Sequence, residues 1–159
     1  MSFETQSRNT ETLLLDGGIA GIISGVITGL ILYLGINENI ISKAVPAMIG
    51  LRGQQAVIGW ILYLITSVIV GLVYAWIDMR VNLTEYTRTI SSGIISGAIY
   101  GVAVWLIFAV VVIPLWLSTV VEFADSPSFP FISGLALIGY VIFGLIIGGV
   151  YGASPASSL

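Results

Sequence analysis

The chain has 159 residues, of which 57% are hydrophobic and only 8% are charged, whereas a soluble domain carries roughly 25% charged residues. Its net charge of −3 includes only five basic residues, which are scattered, and this excludes the clustered lysines and arginines that nucleic-acid binding requires. Cysteine and histidine are both absent, which excludes disulfides, thiol nucleophiles and the common zinc and haem ligand sets.

Four apolar windows follow a polar N-terminal tail, residues 1–16. They are residues 17–36, 56–77, 90–117 and 131–153, and residues 154–159 form a short C-terminal tail. A helix needs about 20 mostly apolar residues to cross a bilayer, and backbone amides in lipid must be satisfied internally. The windows lack the period-2 alternation of barrel strands. The sequence therefore predicts an all-α fold, an integral membrane four-helix bundle that forms a single transmembrane domain, residues 17–153.

Local signals predict the boundaries of the third and fourth helices. Asn82, followed three residues later by Glu85, predicts that the third helix begins near Leu83. Pro114 predicts a kink or an end in that helix. Residues 126–130 read Ser-Pro-Ser-Phe-Pro and predict an ordered turn before the fourth helix.

The segment that joins the first two windows, residues 37–55, is longer than the other connections. Its apolar residues fall on one helical face, which predicts a short interfacial helix. Pro46 interrupts this pattern, so a bent or re-entrant segment is the alternative. The residues on that face are Ile40, Ile41, Ala44, Val45 and Met48.

The basic residues favour one orientation in the cell membrane. Arg8, Arg80 and Arg88 lie on the side that holds both termini, and Lys43 and Arg52 lie on the other side. Because cytoplasmic loops carry an excess of lysine and arginine, we expect a multi-pass protein with both termini in the cytoplasm. The N-terminal tail lacks the basic start of a signal peptide, so we expect the first helix to stay attached.

An internal repeat relates the two halves of the chain. The pentapeptide Gly-Ile-Ile-Ser-Gly occurs at residues 21–25 and again 72 positions later. In the second and fourth windows, an offset of 77 pairs Tyr63 with Tyr140 and Tyr74 with Tyr151. The five-residue difference is attributed to a loop insertion. These matches predict two tandem helical hairpins of the same topology, related by an axis along the membrane normal.

Every window carries a stripe of small residues at four-residue spacing. In lipid such stripes let two helix backbones approach closely, so we expect them to be helix-packing faces of the glycine-zipper kind. A glycine-lined pore is the alternative. The stripes are Gly17, Gly21, Gly25 and Gly29; Ser67, Gly71 and Ala75; Thr89, Gly93, Gly97 and Gly101; and Gly144, Gly148 and Gly152.

Tyr63 and Tyr140 are the candidate ligand-binding residues, because they occupy equivalent positions within two helices. Two converging phenols could hold the polar end of a quinone, a lipid or an isoprenoid. The alternative is that each hydroxyl bonds to a neighbouring helix. For the hydroxyls of Ser24 and Thr28, we expect bonds to the preceding turn or across a helix pair.

Other polar and aromatic residues are expected at the membrane interface. Tyr74, Trp76 and Tyr151 are predicted to be interfacial anchors. Asp16 and Asp78 lie at the ends of windows and are predicted to be solvated carboxylates rather than intramembrane acids.

The composition favours a structural role over catalysis or ion transport. We expect no enzyme activity, no metal and no cofactor, because the sequence offers no triad, thiol or carboxylate pair within the windows. The main prediction is a structural or accessory subunit that packs in the lipid bilayer against another membrane protein or as a homo-oligomer. The alternative is a small carrier or channel for a neutral or apolar solute.

The second half contains the segment Pro114-Leu115-Trp116, the pair Phe129-Pro130 and a final window rich in glycine and tyrosine from Tyr140 to Tyr151. In these features the chain resembles small uncharacterised four-helix membrane proteins of the haloarchaeal type. The resemblance implies the same fold and assigns no activity. It also implies a histidine near Gly139 or Tyr140, and this chain has none.

Overall fold

A computed structural model describes residues 3–81, 89–120 and 128–154, with the backbone alone for residues 3–9 and 36. Four long helices account for most of these residues: α1 at Phe3–Leu30, α2 at Ala56–Val81, α3 at Ile90–Thr119 and α4 at Gly134–Gly152. Each contains a stretch that is long and apolar enough to cross a membrane. No β-strand occurs within the described ranges. The predicted all-α class is therefore confirmed.

The helix ends differ from the predicted windows in ways that local chemistry explains. α1 already begins within the polar tail, and it continues through a π-helical stretch, Ile31–Ile36, until Asn37 adopts an extended conformation. α4 begins at Gly134 because the Ser133 side chain accepts a hydrogen bond from the Ala136 amide, 3.3 Å away.

The start of α3 corrects the sequence prediction. Thr89 has extended dihedrals (φ −121°, ψ 151°), and its side chain and that of Ser92 form a reciprocal capping box. α3 therefore begins at Ile90 and not near Leu83, and Thr89 is a cap rather than the first member of a packing stripe. The predicted cap at Asn82 lies outside the described residues, as do residues 126 and 127 of the predicted turn at residues 126–130. The described part of that turn has bends at residues 129 and 130.

Pro114 neither ends nor breaks α3, which continues to Thr119. Proline cannot donate to the carbonyl group four residues earlier, and its ring crowds that carbonyl. Here the helix widens into a π-helical stretch, Trp105–Val112, just before the proline. The Val110 carbonyl instead accepts a hydrogen bond from the amide of Phe131, 3.3 Å away, which ties the segment before α4 to α3.

The segment between α1 and α2 folds back against α2. It forms a π-helical turn, Ile40–Ala44, and a short α-helical turn, Val45–Ala47. The Gln55 amide donates a hydrogen bond to the Ser42 carbonyl over 2.8 Å. Trp116 of α3 donates its indole N–H to the Met48 carbonyl, also over 2.8 Å.

The buried side of this segment overlaps the predicted apolar face only at Ile41. Ile41 is fully buried, and a Cβ added at Gly59 of α2 would collide with the Ile41 carbonyl oxygen. Ser42 and Pro46, which lie off the predicted apolar face, are also buried. Part of the segment therefore packs against α2.

The four helices form two closely packed pairs. α1 packs along α2, which we call the first helix pair, and α3 packs along α4, which we call the second helix pair; α1 also contacts α4. We use "terminal end" for the end of the bundle that holds Asp16, Asp78 and Ser154, and "linker end" for the end that holds Met48 and Trp116. The core lies between the pairs and consists of Ala20, Tyr74, Ala75, Phe143, Ile147 and Tyr151.

Candidate functional site

The small-residue stripe of α1 lies directly against α2. A Cβ added at Gly17 would stand 2.7 Å from the Gly71 carbonyl oxygen, and one added at Gly21 would collide with the Ser67 carbonyl oxygen. Contacts shorter than about 3.0 Å do not occur between real Cβ atoms and their neighbours. These positions therefore admit only glycine at the present helix separation. Ala75 completes the α2 side, with its Cβ 2.6 Å from the Gly17 position.

Nearer the linker end, side chains rather than backbone fill the space between α1 and α2. A Cβ at Gly25 would meet the Ser67 side chain at 2.5 Å, and a Cβ at Gly29 would meet the Trp60 ring at 2.6 Å and the Tyr63 ring at 2.9 Å. The helices of the first pair thus diverge toward the linker end.

The second helix pair is packed by backbone contact over a longer stretch. Cβ atoms added at Gly93, Gly97 and Gly101 would collide with the carbonyl oxygens of Gly148, Gly144 and Tyr140, respectively. Gly152 also lies against Gly93, because its Cα would stand 3.3 Å from a Cβ added there. All thirteen glycine, serine and alanine residues singled out as packing residues therefore face the partner helix of their own pair.

The contact register differs from the register of the sequence repeat by about one helical turn. Gly17 faces Gly71 in the first pair, and Gly93 faces Gly148 in the second. The equivalent contacts thus relate α1 to α3 by 76 positions and α2 to α4 by 77. The pentapeptide match at 72 positions is not the register in which the helices pack.

The candidate ligand-binding tyrosines lie toward the linker end. The Tyr63 hydroxyl is 2.9 Å from the Thr28 hydroxyl of α1, and its ring packs edge-on against Trp60 with 6.2 Å between the ring centroids. Tyr140 lies in the neighbourhood of Tyr63. The structure therefore brings the two phenols into one region, with the Tyr63 hydroxyl already bonded within the first helix pair.

The serine and threonine of α1 bond as expected. Ser24 donates to the Ala20 carbonyl and Thr28 to the Ser24 carbonyl, each over 2.7 Å. These two predictions are confirmed.

A second group of tyrosines joins the two helix pairs nearer the terminal end. The Tyr74 hydroxyl of α2 is 2.6 Å from the Ser96 hydroxyl of α3. In return, Tyr100 of α3 donates to the Val70 carbonyl of α2 over 2.8 Å. The rings of Tyr74 and Tyr100 pack edge-on, with centroids 5.1 Å apart. We call this reciprocal contact between α2 and α3 the tyrosine clasp.

Tyr151 of α4 extends the clasp to the fourth helix. Its ring is perpendicular to that of Tyr74, with 5.4 Å between the ring centroids. Tyr151 is 0% exposed and Tyr74 is 4% exposed. The prediction that these two tyrosines are interfacial anchors is therefore wrong, because they form the centre of the core. Trp76 is half exposed, with the Arg80 guanidinium 5.4 Å above its ring.

The carboxylate of Asp78 is buried next to this cluster. Asp78 is 2% exposed and accepts a hydrogen bond from the Tyr151 hydroxyl over 3.2 Å. Asp16 lies at the same end and accepts a hydrogen bond from the hydroxyl of Ser154. The prediction of a solvated carboxylate is wrong for Asp78, because the end of α4 covers it.

Sequence reasoning missed the burial of Asp78, although one signal pointed to it. Asp78 follows Tyr74 by four residues, so both lie on one face of α2, and Tyr74 is the repeat equivalent of Tyr151. Nothing in the sequence marks Gly59 as the contact for the folded-back segment.

The chemistry of these groups is that of structural hydrogen bonds. Among the residues that the structure describes, no cluster of three or more histidine, cysteine, aspartate or glutamate residues could hold a metal ion. No family model matches the chain, and no curated protein or solved structure matches it either.

Proposed function

We propose that the chain is a multi-pass integral membrane protein with both termini in the cytoplasm, and that it serves as a structural or accessory subunit. The observation that carries this proposal is that the inner and outer faces of the helices differ in residue type. The small-residue stripe of every helix contacts the other helix of its pair, and large aliphatic side chains point outward. A tightly closed bundle of this kind offers its outer surface, rather than an internal site, to a partner.

The outward aliphatic surface supports the membrane part of the proposal. Along one face of α2, Ile61, Ile65 and Ile69 are 51–53% exposed at four-residue spacing. Monomeric soluble proteins rarely expose a contiguous apolar patch of more than a few hundred Å². We expect the chain to stay in the membrane pellet after carbonate washing and after high salt. Release into the supernatant would contradict membrane insertion.

The placement of two tyrosine pairs supports a duplicated hairpin with an axis along the membrane normal. Under a two-fold rotation, equivalent residues that touch each other must lie near the axis. Tyr74 and Tyr151 are equivalent at the 77-position offset and are in ring contact, and Tyr63 and Tyr140 are equivalent and lie in the same neighbourhood. The pairs are eleven residues apart, about 16 Å along a helix. A two-fold axis through both pairs would run parallel to the helices.

The glycine contacts favour a structural subunit over a pore. A pore needs a lining that faces an open path, whereas the stripes of this chain are covered by carbonyl groups and side chains of the neighbouring helix. Moving them into a lining would require both helix pairs to separate.

The partner is proposed to be another membrane protein or a second copy of the chain, and the outer face of α2 gives a direct test. A photo-crosslinking amino acid at Ile65, which is 51% exposed, should give a discrete protein adduct in native membranes. The same amino acid at Ala20, which is fully buried, is the control and should give none. Lipid adducts alone at Ile65 and at Ile99, an exposed position of α3, would contradict the accessory role.

The alternative function, a carrier for a neutral or apolar solute or a binder of a quinone, lipid or isoprenoid, is favoured by one observation. The phenols of Tyr63 and Tyr140 lie in the same region toward the linker end. Purified protein in liposomes should then give solute permeability that Tyr140→Phe reduces without a change in folding. Under the accessory proposal, neither protein changes the permeability.

A further inference from the structure

A shallow groove on the outer side of the first helix pair differs from the rest of the aliphatic surface. Its volume is about 620 Å³, within the range of roughly 300–1,000 Å³ that ligand sites occupy. Gly18 forms its floor, because this glycine is buried between the ridges of α1 and α2. The lining side chains are Glu11, Leu14, Leu15, Ile19, Ile22, Val68 and Leu72.

The dimensions of the groove match one lipid chain in one leaflet. From Glu11 to Ile22 the groove follows eleven residues of α1, which is about 16 Å at 1.5 Å per residue. Half of the hydrocarbon core of a bilayer is about 15 Å thick. The groove therefore runs from the level of the headgroups at the terminal end to the level of the chain ends.

Among the residues whose side chains the structure describes, the groove has a charge at one end only. That charge belongs to Glu11, which is exposed and stands at the end where a headgroup would lie. The remainder of the lining is aliphatic apart from Gly18. A carboxylate in this position complements a cationic headgroup and repels an anionic one.

We propose that this groove binds a bilayer phospholipid whose headgroup carries a primary ammonium group, with one acyl chain over Gly18 and the ammonium at the Glu11 carboxylate. The site rests on the proposed membrane insertion but not on the accessory role. The proposal assigns a ligand class to a groove on the outer side of the first helix pair.

Two substitutions separate the chain contact from the headgroup contact. Gly18→Leu places a large side chain on the floor of the groove. The backbone can accept this substitution, because a Cβ at Gly18 stands 3.6 Å from Leu72 and 3.9 Å from Val68, which are ordinary contacts. Glu11→Gln removes the charge at an exposed position and leaves the groove open. Gly139→Leu is the matched control, because a Cβ at Gly139 meets nothing within 4 Å.

The test is native mass spectrometry of protein reconstituted in equal amounts of phosphatidylethanolamine and phosphatidylglycerol. The original chain and Gly139→Leu should retain one phosphatidylethanolamine about two- to fivefold over phosphatidylglycerol, the preference expected of one exposed ion pair. Glu11→Gln should bring the ratio close to one, and Gly18→Leu should lose the retained lipid.

Equal retention of the two lipids by the original chain would overturn the proposal, as would an unchanged ratio in Glu11→Gln. Because Glu11 is exposed, that variant tests the site even if Gly18→Leu does not fold. A chain that fails to enter the membrane would instead contradict the proposed function itself, and carbonate washing detects that outcome separately.

Discussion

Replacing Gly97 by alanine tests the packing of the second helix pair most sharply. A Cβ at this position would collide with the Gly144 carbonyl oxygen and stand 2.9 Å from both the N and the Cα of Gly148. All three atoms belong to backbone, so no side chain can turn away. An ordinary contact needs at least 3.4 Å, and the collision with the carbonyl oxygen therefore requires α3 and α4 to separate by about 1 Å or more.

The separation weakens contact along the whole glycine stripe. Overpacking of this kind costs about 1–3 kcal/mol, whereas alanine gains roughly 0.8–1 kcal/mol over glycine in a helix. We expect Gly97→Ala to lower the free energy of unfolding by a net amount of up to about 2 kcal/mol. At Gly139, where a Cβ meets nothing within 4 Å, alanine should instead be neutral or stabilising.

The assay is reversible unfolding of both variants in mixed micelles, followed by circular dichroism. Equal stability of Gly97→Ala and Gly139→Ala would refute the inference that backbone contact at this stripe holds α3 against α4.

Three further predictions use the same assay. Tyr151→Phe should cost about 1.5–3 kcal/mol, because it removes a donor from the buried carboxylate of Asp78; no loss would mean that this hydrogen bond does not matter to folding. Tyr74→Phe should cost about 0.5–1.5 kcal/mol through its bond to Ser96, and an unchanged stability would contradict the tyrosine clasp. Thr89→Ala should cost about 1 kcal/mol as the loss of an N-cap, and a neutral result would place the start of α3 elsewhere.

Helix number and packing faces could be predicted because they depend on local patterns. Four apolar windows of sufficient length leave few arrangements in lipid. Glycines at four-residue spacing share a helix face, and the structure places Gly21 and Gly97 against the neighbouring helix. The residue types and their spacing are enough for this inference.

The burial of Asp78 could not be predicted from its position near the end of a window. A carboxylate there is solvated or covered depending on whether another helix extends beyond it, and α4 does so with Tyr151. Tertiary contacts of this kind leave no periodic signal. The surroundings of Pro114 include a tertiary contact of the same kind. The Phe131 amide donates a hydrogen bond to the Val110 carbonyl, which lies four residues before the proline.

The register of the repeat shows a different limit. The pentapeptide of small and apolar residues recurs at an offset of 72 positions. The helix contacts instead make Gly17 equivalent to Gly93, an offset of 76, because they depend on which helical turn faces the partner helix. Because glycines recur every four residues, a shift of one turn preserves the pattern. Sequence matching alone therefore cannot distinguish the two registers.

A disulfide engineered between α1 and α2 tests the central claim most directly, because the chain contains no cysteine of its own. The Ser67 Cβ lies 2.6 Å from the position of a Cβ at Gly25, and a disulfide needs about 3.8 Å, so a small separation suffices. With a protease site placed at Gly53 in the linking segment, oxidised Gly25→Cys/Ser67→Cys should keep its two fragments joined. Gly25→Cys/Thr66→Cys should release them, because Thr66 is exposed. The glycine-packed helix pair would be contradicted if only the Gly25→Cys/Thr66→Cys variant kept its fragments joined. Disulfides that form only between separate chains would contradict it as well.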